Sequence, residues 1–319
     1  MRMYDFFGES LPLARTMLLA TPSNGLQSPA RNARFSFTRF CKKNFQKAVI
    51  IFILFTLTGC TKKQSVNNSI PKSIVALSPS AVEILYSIGA ENQISAVCEY
   101  CDYPPEAAEK PVAGGFDGKS FSLEKILSFQ PDFLYLTDGM HNFLIPMLET
   151  LEIKYYLSKA NSIESIKQEI LEIGQITNHL SEAKKVVNQM EESISSVKTS
   201  SVSVYYEVWN NPFMSCGKNS FINDLIFTAG GTNLFSDLSE PYPQVSVETI
   251  IVRNPQIILI TQSSGTTVES VKKRAGWQNI DAVKNNQIYI IDDNLSSRPS
   301  PRITESIKLL NSYITLAQN

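Results

Sequence analysis

The sequence contains only two histidines among 319 residues, and its five cysteines do not form two Cys-x-x-Cys pairs. A His-rich or four-thiolate metal site is therefore not expected. The chain also lacks a Gly-x-Ser-x-Gly motif, a P-loop and paired dinucleotide-binding glycines, so hydrolase and nucleotide-dependent activities have no residues to support them. With 43% hydrophobic residues, 18% charged residues and only 14 glycines, the composition is that of a globular chain.

Basic residues are scarce after residue 60. Residues 1–60 hold eight Lys or Arg and two Asp or Glu, whereas residues 61–319 hold 21 and 28, respectively. Proteins that bind nucleic acid carry clustered Lys and Arg that contact phosphates, and no such cluster occurs in this acidic region. Nucleic acid is therefore not an expected partner.

The first sixty residues have the order of an export signal, with basic residues, then an apolar run, then small residues. The apolar run, AVIIFILFTL at 48–57, is short for a membrane span and ends in LTGC at 57–60. This ending resembles the lipobox of bacterial lipoproteins, so residues 1–59 are predicted to be an extension and signal peptide, followed by a tether at 60–72. We expect an exported lipoprotein, anchored in a membrane through lipid on Cys60 and facing the periplasm or the cell exterior. A plain signal peptide with a chance Cys60 is the alternative.

Short β-branched runs alternate with helical patterns from residue 73 onward. This alternation is typical of an α/β fold with parallel sheets. The strand-like runs are IVAL at 74–77, ISAV at 94–97, FLYL at 133–136, IKYYL at 153–157, VSVYY at 202–206, IILIT at 257–261 and QIYII at 287–291.

The chain also repeats itself with an offset of 124 residues. SLEKIL and PDFLYL, within 122–136, recur as SVETII and PQIILI within 246–260. A fixed offset over two segments indicates two similar units. We therefore expect two α/β lobes, each with a central parallel sheet, at residues 73–179 and 201–319.

Apolar residues recur every three or four positions between the two expected lobes. They are Leu180, Ala183, Val186, Val187, Met190, Ile194 and Val197. No Gly or Pro interrupts residues 175–200, so the pattern predicts one long amphipathic helix over 180–200 that joins the lobes as a stiff rod. An ordinary surface helix within one lobe is the alternative, because periodicity shows amphipathicity and not location.

Several motifs resemble those of one protein family. They are IVALSP at 74–79 followed by Glu83, CDYPP at 101–105, NPF at 211–213 with GK at 217–218, GGTNLF at 230–235, YPQVS at 242–246 and SPRI at 300–303. The family comprises the periplasmic substrate-binding proteins that serve ABC importers of cobalamin, haem and ferric siderophores, and the resemblance covers about residues 72–317. It implies two lobes joined by one backbone helix, with a ligand cleft between the lobes. It also implies a monomer that is not an enzyme and has no intrinsic cofactor, with an ABC permease and its ATPase as partners.

The ligand that the resemblance implies is cobalamin or a related corrinoid, because the DYPP, YPQVS and SPRI segments are most similar to the cobalamin-binding members. Haem or a ferric siderophore is the alternative. The cobalamin-binding member has tryptophans at several cleft positions where this chain has other residues, among them Phe116, Tyr242 and Asn294. Haem-binding relatives use Tyr or His as an axial ligand, and Tyr100, Tyr242 and His141 are the candidates for that role.

Five residues are predicted to bind the ligand, because they match cleft positions of the family. Tyr100, Phe116 and Tyr242 would stack on a flat macrocycle, and Asp293 and Arg298 would form hydrogen bonds with its polar side chains. Each aromatic residue could instead belong to the core, and the charged pair could instead form a loop ion pair.

Glu124 and Glu248 occupy equivalent positions of the repeat, each two residues after a Ser that could cap a helix. An acid in the first turn of a helix is favoured by the helix dipole, which is one explanation for both residues. In the family, equivalent glutamates dock with arginines of the permease, so the resemblance implies a docking role for this pair.

The rival class of function is an extracytoplasmic thiol oxidoreductase that acts through Cys98 and Cys101. Such a motif normally opens a helix, where the thiol pKa is lowered, whereas the helix-breaking DYPP follows here. In an exported protein, this pair is expected either to close a small disulfide or to remain two thiols. Glu83, which follows Ser-Pro-Ser, is interpreted as a helix N-terminal acid and not as a catalytic base.

Overall fold

The computed structural model describes residues 69–115, 120 and 122–318 of the chain. The predicted leader at 1–59, Cys60, most of the predicted tether and Phe116 lie outside the described residues. The expectations about them therefore stay predictions.

The first lobe is built on a five-stranded parallel sheet with the order β3-β2-β1-β4-β5. Its strands are β1 (Ile74–Ala76), β2 (Ile94–Cys98), β3 (Val112–Gly114), β4 (Phe133–Thr137) and β5 (Lys154–Ser158). Its helices are α1 (Pro79–Ser87), α2 (Leu123–Ser128), α3 (Ile145–Thr150) and α4 (Ile163–Ile176). Successive strand residues point to opposite faces, and both faces are buried: Val75 and Leu134 belong to one core cluster and Ile74 and Tyr135 to another.

The second lobe contains a four-stranded parallel sheet with the order β11-β10-β6-β9 and a small antiparallel hairpin, β7-β8. Its strands are β6 (Ser203–Glu207), β7 (Trp209–Asn210), β8 (Phe213–Met214), β9 (Thr232–Asn233), β10 (Ile257–Thr261) and β11 (Ile288–Ile291). The remaining helices of the described residues are α5 (Leu180–Ser195), α6 (Phe221–Thr228), α7 (Val247–Arg253), α8 (Val268–Lys272), α9 (Asp281–Lys284), α10 (Asp293–Ser296) and α11 (Ile303–Ala317).

The two sheets have the same internal order, as the sequence repeat predicts. The order β2-β1-β4-β5 of the first sheet corresponds to β9-β6-β10-β11 of the second. Strands β4 and β10 start and end 124 residues apart, and helices α2 and α7 also start 124 residues apart. The predicted fold class, α/β with two parallel sheets in two similar units, is therefore confirmed.

Helix α5 lies between the two sheets in the chain, where the connecting helix was predicted. It ends at Ser195 and not at residue 200, so the predicted helix is too long. The Ser- and Thr-rich sequence SSVKTSS at 195–201 explains the early end, because these residues compete for backbone hydrogen bonds and favour helix less than Ala or Leu.

One core cluster runs through both lobes. It includes Ile74 of the first sheet, Ile166 of α4, Val187 of α5, Val204 of the second sheet and Ile307 of α11. Helix α5 thus packs into the same apolar core as both sheets. No helix among residues 69–318 combines the length and the hydropathy needed to cross a membrane.

Candidate functional site

Three of the predicted ligand-binding residues lie beyond the carboxyl ends of parallel strands. Tyr100 follows β2, Asp293 follows β11 and opens α10, and Arg298 lies just after α10. Ligands of parallel α/β sheets bind beyond the carboxyl ends of the strands, because the loops there converge on one crevice. The position after each strand therefore favours a site at this edge.

Arg298 joins this edge of the second lobe to the first lobe. Its Nη1 donates to Oε1 of Glu83 at 2.9 Å and to Oδ1 of Asp102 at 2.7 Å. Its Nη2 donates to the carbonyl oxygen of Tyr100 at 3.2 Å and to Oδ1 of Asn294 at 2.8 Å. The side chain is nearly buried, with 8% of its surface exposed. The ion pairs of Arg298 are therefore with Glu83 and Asp102 of the first lobe, and not the loop pair with Asp293 that was the alternative, and they connect the lobes.

Glu83 is the buried centre of this network. It is the fifth residue of α1, so its interpretation as a helix N-terminal acid is wrong. Only 3% of its surface is exposed, and it accepts a 2.5 Å hydrogen bond from Ser300 Oγ and lies 3.5 Å from Arg302 Nη1. A buried carboxylate needs such partners, because burial without them costs several kcal/mol. We call Glu83, Asp102, Arg298, Ser300 and Arg302 the interlobe latch.

Two exposed aromatic side chains lie beside the latch, on the loop of residues 99–103 that follows β2. Tyr100 is 49% exposed and has a left-handed backbone with φ of 67°. The guanidinium carbon of Arg302 lies 3.6 Å from the ring centroid of Tyr103, a cation–π contact. Because the carbonyl oxygen of Tyr100 accepts a hydrogen bond from Arg298, these two predicted ligand-binding residues are in contact across the two lobes.

Tyr242 and Asp293 are each half-buried, in different surroundings. Tyr242 packs against the large core cluster, and burial raises the pKa of its hydroxyl. Asp293 Oδ2 accepts a hydrogen bond from the backbone N–H of Ser263 at 2.7 Å, and burial raises the pKa of its carboxyl. Burial also raises the pKa of Tyr206, whose hydroxyl lies 3.2 Å from Ser296 Oγ in α10.

Glu124 and Glu248 have the same local structure in the two lobes. Each is the second residue of its helix, α2 or α7, and each helix is capped by a serine that accepts a backbone hydrogen bond, Ser122 or Ser246. Both glutamates are exposed. The predicted caps are therefore present, and the docking role stays a prediction.

His141 is placed where it cannot serve as an axial ligand for a molecule in an open cleft. It is fully buried, and its Nδ1 accepts a hydrogen bond from the backbone N–H of Thr137 at 2.9 Å. The candidate axial role for His141 is therefore wrong. The described residues contain no group of three or more His, Cys, Asp or Glu side chains that could hold a metal ion.

Cys98 and Cys101 lie at the end of β2 with their sulfur atoms 3.1 Å apart, and both are buried thiols. Burial, with a smaller contribution from the hydrogen bond to Cys101, raises the pKa of the Cys98 thiol well above its usual range. Thiol–disulfide catalysts need the opposite shift, because the thiolate is the nucleophile. The geometry therefore gives no support to the thiol oxidoreductase alternative.

Sequence reasoning missed a second buried ion pair and an aromatic residue near the ends of the second sheet. Glu207, the fully buried last residue of β6, accepts hydrogen bonds from both terminal nitrogens of Arg274, at 2.5 and 2.8 Å. Trp209 follows in the β7-β8 hairpin and donates from Nε1 to the carbonyl oxygen of Asn211 at 2.8 Å. The position of Trp209 three residues after the predicted strand at 202–206 was the signal that could have identified it.

A concavity of about 780 Å³ lies elsewhere on the first lobe. It is lined by Tyr86, Ser87, Ile88, Gly89, Glu91, Glu106, Glu109, Lys110 and Glu182. Residues 86–91 lie between α1 and the start of β2, at the amino ends of the strands. This concavity is therefore separate from the edge that carries the latch.

Comparison with known proteins identifies the family. The profile described as periplasmic binding protein matches residues 74–295, which is more than half of the chain. The chain belongs to the periplasmic binding protein family. The match spans both sheets, and of the five latch residues it includes Glu83 and Asp102.

Individual members of the periplasmic binding protein family are similar over most of their length. The chain is 26% identical over 252 residues to the vitamin B12-binding protein of Vibrio cholerae, covering 77% of this chain and 90% of that protein. It is 26% identical over 253 residues to an uncharacterized ABC transporter substrate-binding lipoprotein, YvrC, of Bacillus subtilis, covering 75% and 79%. A crystal structure from Staphylococcus epidermidis, described as a possible iron-binding (periplasmic solute-binding) protein, is 31% identical with a TM-score of 0.68, covering 76% and 98%. These relatives are described as vitamin-binding, substrate-binding and possible iron-binding proteins, which is consistent with a binding role for this chain.

Proposed function

We propose that this periplasmic binding protein is the solute-binding lipoprotein of an ABC importer and that it captures a corrinoid between its lobes. The bound ligand would then be delivered to the permease and its ATPase. The main support is the position of Tyr100, an exposed aromatic residue whose backbone carbonyl oxygen accepts a hydrogen bond from Arg298 of the other lobe. The similarity to the vitamin B12-binding protein supports a corrinoid as the ligand, and the lipobox that ends at Cys60 supports a lipid anchor.

The residues at this edge fit a large, flat ligand that carries amide groups. Tyr100, Phe116 and Tyr242 would stack on the macrocycle, which costs little conformational entropy because aromatic rings are rigid. Asp293 would accept hydrogen bonds from amide N–H groups. Arg298 already donates to four protein acceptors, so its main contribution would be to hold Tyr100 in place.

Haem or a ferric siderophore is the second candidate ligand. It is favoured by the similarity to the iron-binding protein of Staphylococcus epidermidis and by the exposed phenol of Tyr100, which is of the right type for an axial ligand. The iron or cobalt would be part of the cargo and not a resident metal.

Calorimetric titration of the purified chain with cyanocobalamin tests the ligand. We expect saturable heat with one binding site. Absence of heat, together with a shift of the haem absorption band when hemin is added, would replace the corrinoid by haem. Absence of both, with binding of ferrichrome, would assign a ferric siderophore.

Alanine substitutions at two exposed aromatic residues distinguish a loss of ligand binding in the cleft from a general surface effect. Tyr100→Ala should weaken binding by about tenfold, because a central aromatic contact contributes more than about 1 kcal/mol. Phe227→Ala is the matched control, since Phe227 is 71% exposed on α6 and is not among the predicted ligand residues. Equal losses in the two variants would contradict the assignment of Tyr100.

The docking role of the two glutamates is tested by charge reversal. The double variant Glu124→Lys/Glu248→Lys should abolish uptake into cells and leave the affinity for cyanocobalamin unchanged, because neither residue is placed at the strand ends that bind the ligand. Glu164→Lys/Glu269→Lys is the control, since these glutamates are also exposed first-turn acids, of α4 and α8. Uptake lost equally in both double variants would indicate a general charge effect.

A further inference from the structure

The thiol groups of Cys98 and Cys101 are nearly close enough to bond. Their sulfur atoms are 3.1 Å apart, and a disulfide requires about 2.05 Å. Both side chains are buried, Cys98 at 1% and Cys101 at 5% exposure. A shift of about one ångström would therefore close a ring that contains only residues 98–101.

The backbone between the two cysteines turns back on itself. Cys98 ends β2, and the N–H of Glu99 still donates to Gly114 O at 2.8 Å. Tyr100 then adopts its left-handed conformation, and the N–H of Asp102 donates to Tyr100 O at 3.0 Å. A non-glycine residue rarely holds this backbone without local support, so the turn is constrained from both sides.

The same turn carries Asp102, the exposed latch residue of the first lobe. The carbonyl oxygen of Tyr100 and the carboxylate of Asp102 both accept hydrogen bonds from Arg298, and the ring of Tyr103 stacks under Arg302. A covalent link between Cys98 and Cys101 would therefore restrain the groups that hold the second lobe.

Neither catalysis nor metal binding accounts for the thiol pair. The raised pKa of Cys98 keeps its thiol protonated near neutral pH, which is unsuited to rapid exchange. Among the described residues, no third acidic, His or Cys side chain joins the pair in a metal-binding group. The other described thiol, Cys216, lies in the second lobe and donates to Asn233 Oδ1 at 3.5 Å.

We propose that Cys98 and Cys101 are a reversible disulfide site whose oxidation braces the loop of residues 99–103 and thereby the interlobe latch. The oxidant is a disulfide of the general form R–S–S–R. Cys101, the more exposed thiol, loses its proton and attacks one sulfur, releasing one R–S⁻. Cys98 then loses its proton and attacks the sulfur of Cys101, releasing the second R–S⁻. The two cysteines lose two electrons and two protons, and the oxidant R–S–S–R takes them up to become two R–SH.

The first experiment treats the purified full chain with oxidised glutathione, blocks the remaining thiols with N-ethylmaleimide and digests the chain with trypsin. We expect the peptide 73–119 to be lighter than the reduced peptide by two hydrogen atoms and to carry no maleimide. Dithiothreitol added before blocking should restore two maleimide labels. A wild-type peptide that keeps two maleimide labels, or carries glutathione on both cysteines, would overturn the proposal.

Variants distinguish the internal disulfide from other products. Cys216→Ser should form the disulfide as the wild type does, whereas Cys98→Ser should stop at one glutathione adduct on Cys101. Asp102→Asn keeps both cysteines and changes a side chain that is 57% exposed, so it avoids a buried substitution. It should form the same disulfide faster than the wild type, by at most about fivefold. The partly exposed ion pair restrains the loop by at most about 1 kcal/mol, which corresponds to that factor. Formation that is equally fast or slower would contradict the link between the thiols and the latch.

Hydrogen exchange tests the bracing of the loop. In the oxidised chain, the amides of residues 99–103 should exchange at least about threefold more slowly than in the reduced chain, because the closed ring removes loop conformations. Residues 262–265, in a turn of the second lobe, are the internal control and should exchange equally in both forms. Unchanged exchange at 99–103 would overturn the bracing. Because no step requires a transported ligand, this proposal can fail while the proposed transport function stands.

Discussion

Removal of Arg298 tests whether the interlobe latch stabilises the protein. The substitution Arg298→Met keeps a long, unbranched side chain and removes the guanidinium that faces Glu83 and Asp102. The two carboxylates then lose the same partner but differ in burial, since Glu83 is almost fully buried and the Asp102 side chain is 57% exposed.

The expected loss in the free energy of unfolding follows from Glu83, the buried carboxylate. Leaving one buried charge without its partner costs about 3 to 5 kcal/mol. Ser300 at 2.5 Å and Arg302 at 3.5 Å still face Glu83 and offset part of this loss, so about 3 kcal/mol is expected for Arg298→Met. In a chain of this size, about 3 kcal/mol corresponds to a decrease in Tm of about 6 to 12 °C. Asp102→Asn should cost at most about 1 kcal/mol, because water already solvates that carboxylate.

Thermal unfolding of the wild type, both single variants and Glu83→Met/Arg298→Met measures these differences. The double variant should regain more than half of the stability lost in Arg298→Met, because an apolar pair of similar volume replaces a buried ion pair at little net cost. If Arg298→Met loses no more stability than Asp102→Asn, the latch does not contribute as the geometry indicates. If the double variant is less stable than Arg298→Met, the loss does not come from the unpaired Glu83.

Two further predictions concern a buried acid and a tight turn. Burial raises the pKa of Glu169 above its ordinary 4.5, although hydrogen bonds from Tyr135 and Ser158 lower it. The protonated Glu169 therefore contributes its full share to the free energy of unfolding at low pH, and this share is lost as pH rises through the folded-state pKa. Urea unfolding at pH values that rise from about 5 should therefore show that Glu169→Gln loses less stability than the wild type; parallel pH profiles would contradict this. Gly230 has φ of 89°, and an added Cβ would meet a backbone carbonyl oxygen at 2.2 Å, so Gly230→Ala should be destabilised by well over about 1 kcal/mol. Gly139→Ala, with φ of 78° but open space around the Cβ, should cost only about 1 kcal/mol, and equal Tm changes would show that the contact adds nothing.

The sequence pattern predicted the elements whose signals are local. All seven strand-like runs are strands, and the 124-residue repeat appears as equivalent helices and strands in the two lobes. Ser122 and Ser246 cap their helices because a cap depends only on the next three residues. The three-residue strand β3 was missed, since a short run between Pro111 and two glycines has no measurable periodicity.

The contacts of the site could not be predicted in the same way. Glu83 and Arg298 are 215 residues apart, and only the packing of two lobes brings a helix interior next to a loop. The burial of His141 has a similar origin, because a loop histidine after a strand gives no local sign of whether other elements cover it. Tyr100 was predicted from the family resemblance, and its position two residues after β2 is local, whereas its contact with Arg298 depends on the other lobe.

The core cluster that includes Ile166, Val187 and Ile307 has a consequence for fragments of this chain. A cut in the segment 196–202 would separate two polypeptides that each contain a complete parallel sheet. Each fragment would nevertheless expose the apolar surface that now packs in the shared cluster around α5. We expect the two fragments to aggregate when produced separately and to reassemble when produced together, so the sequence repeat defines two structural units but only one unit of folding.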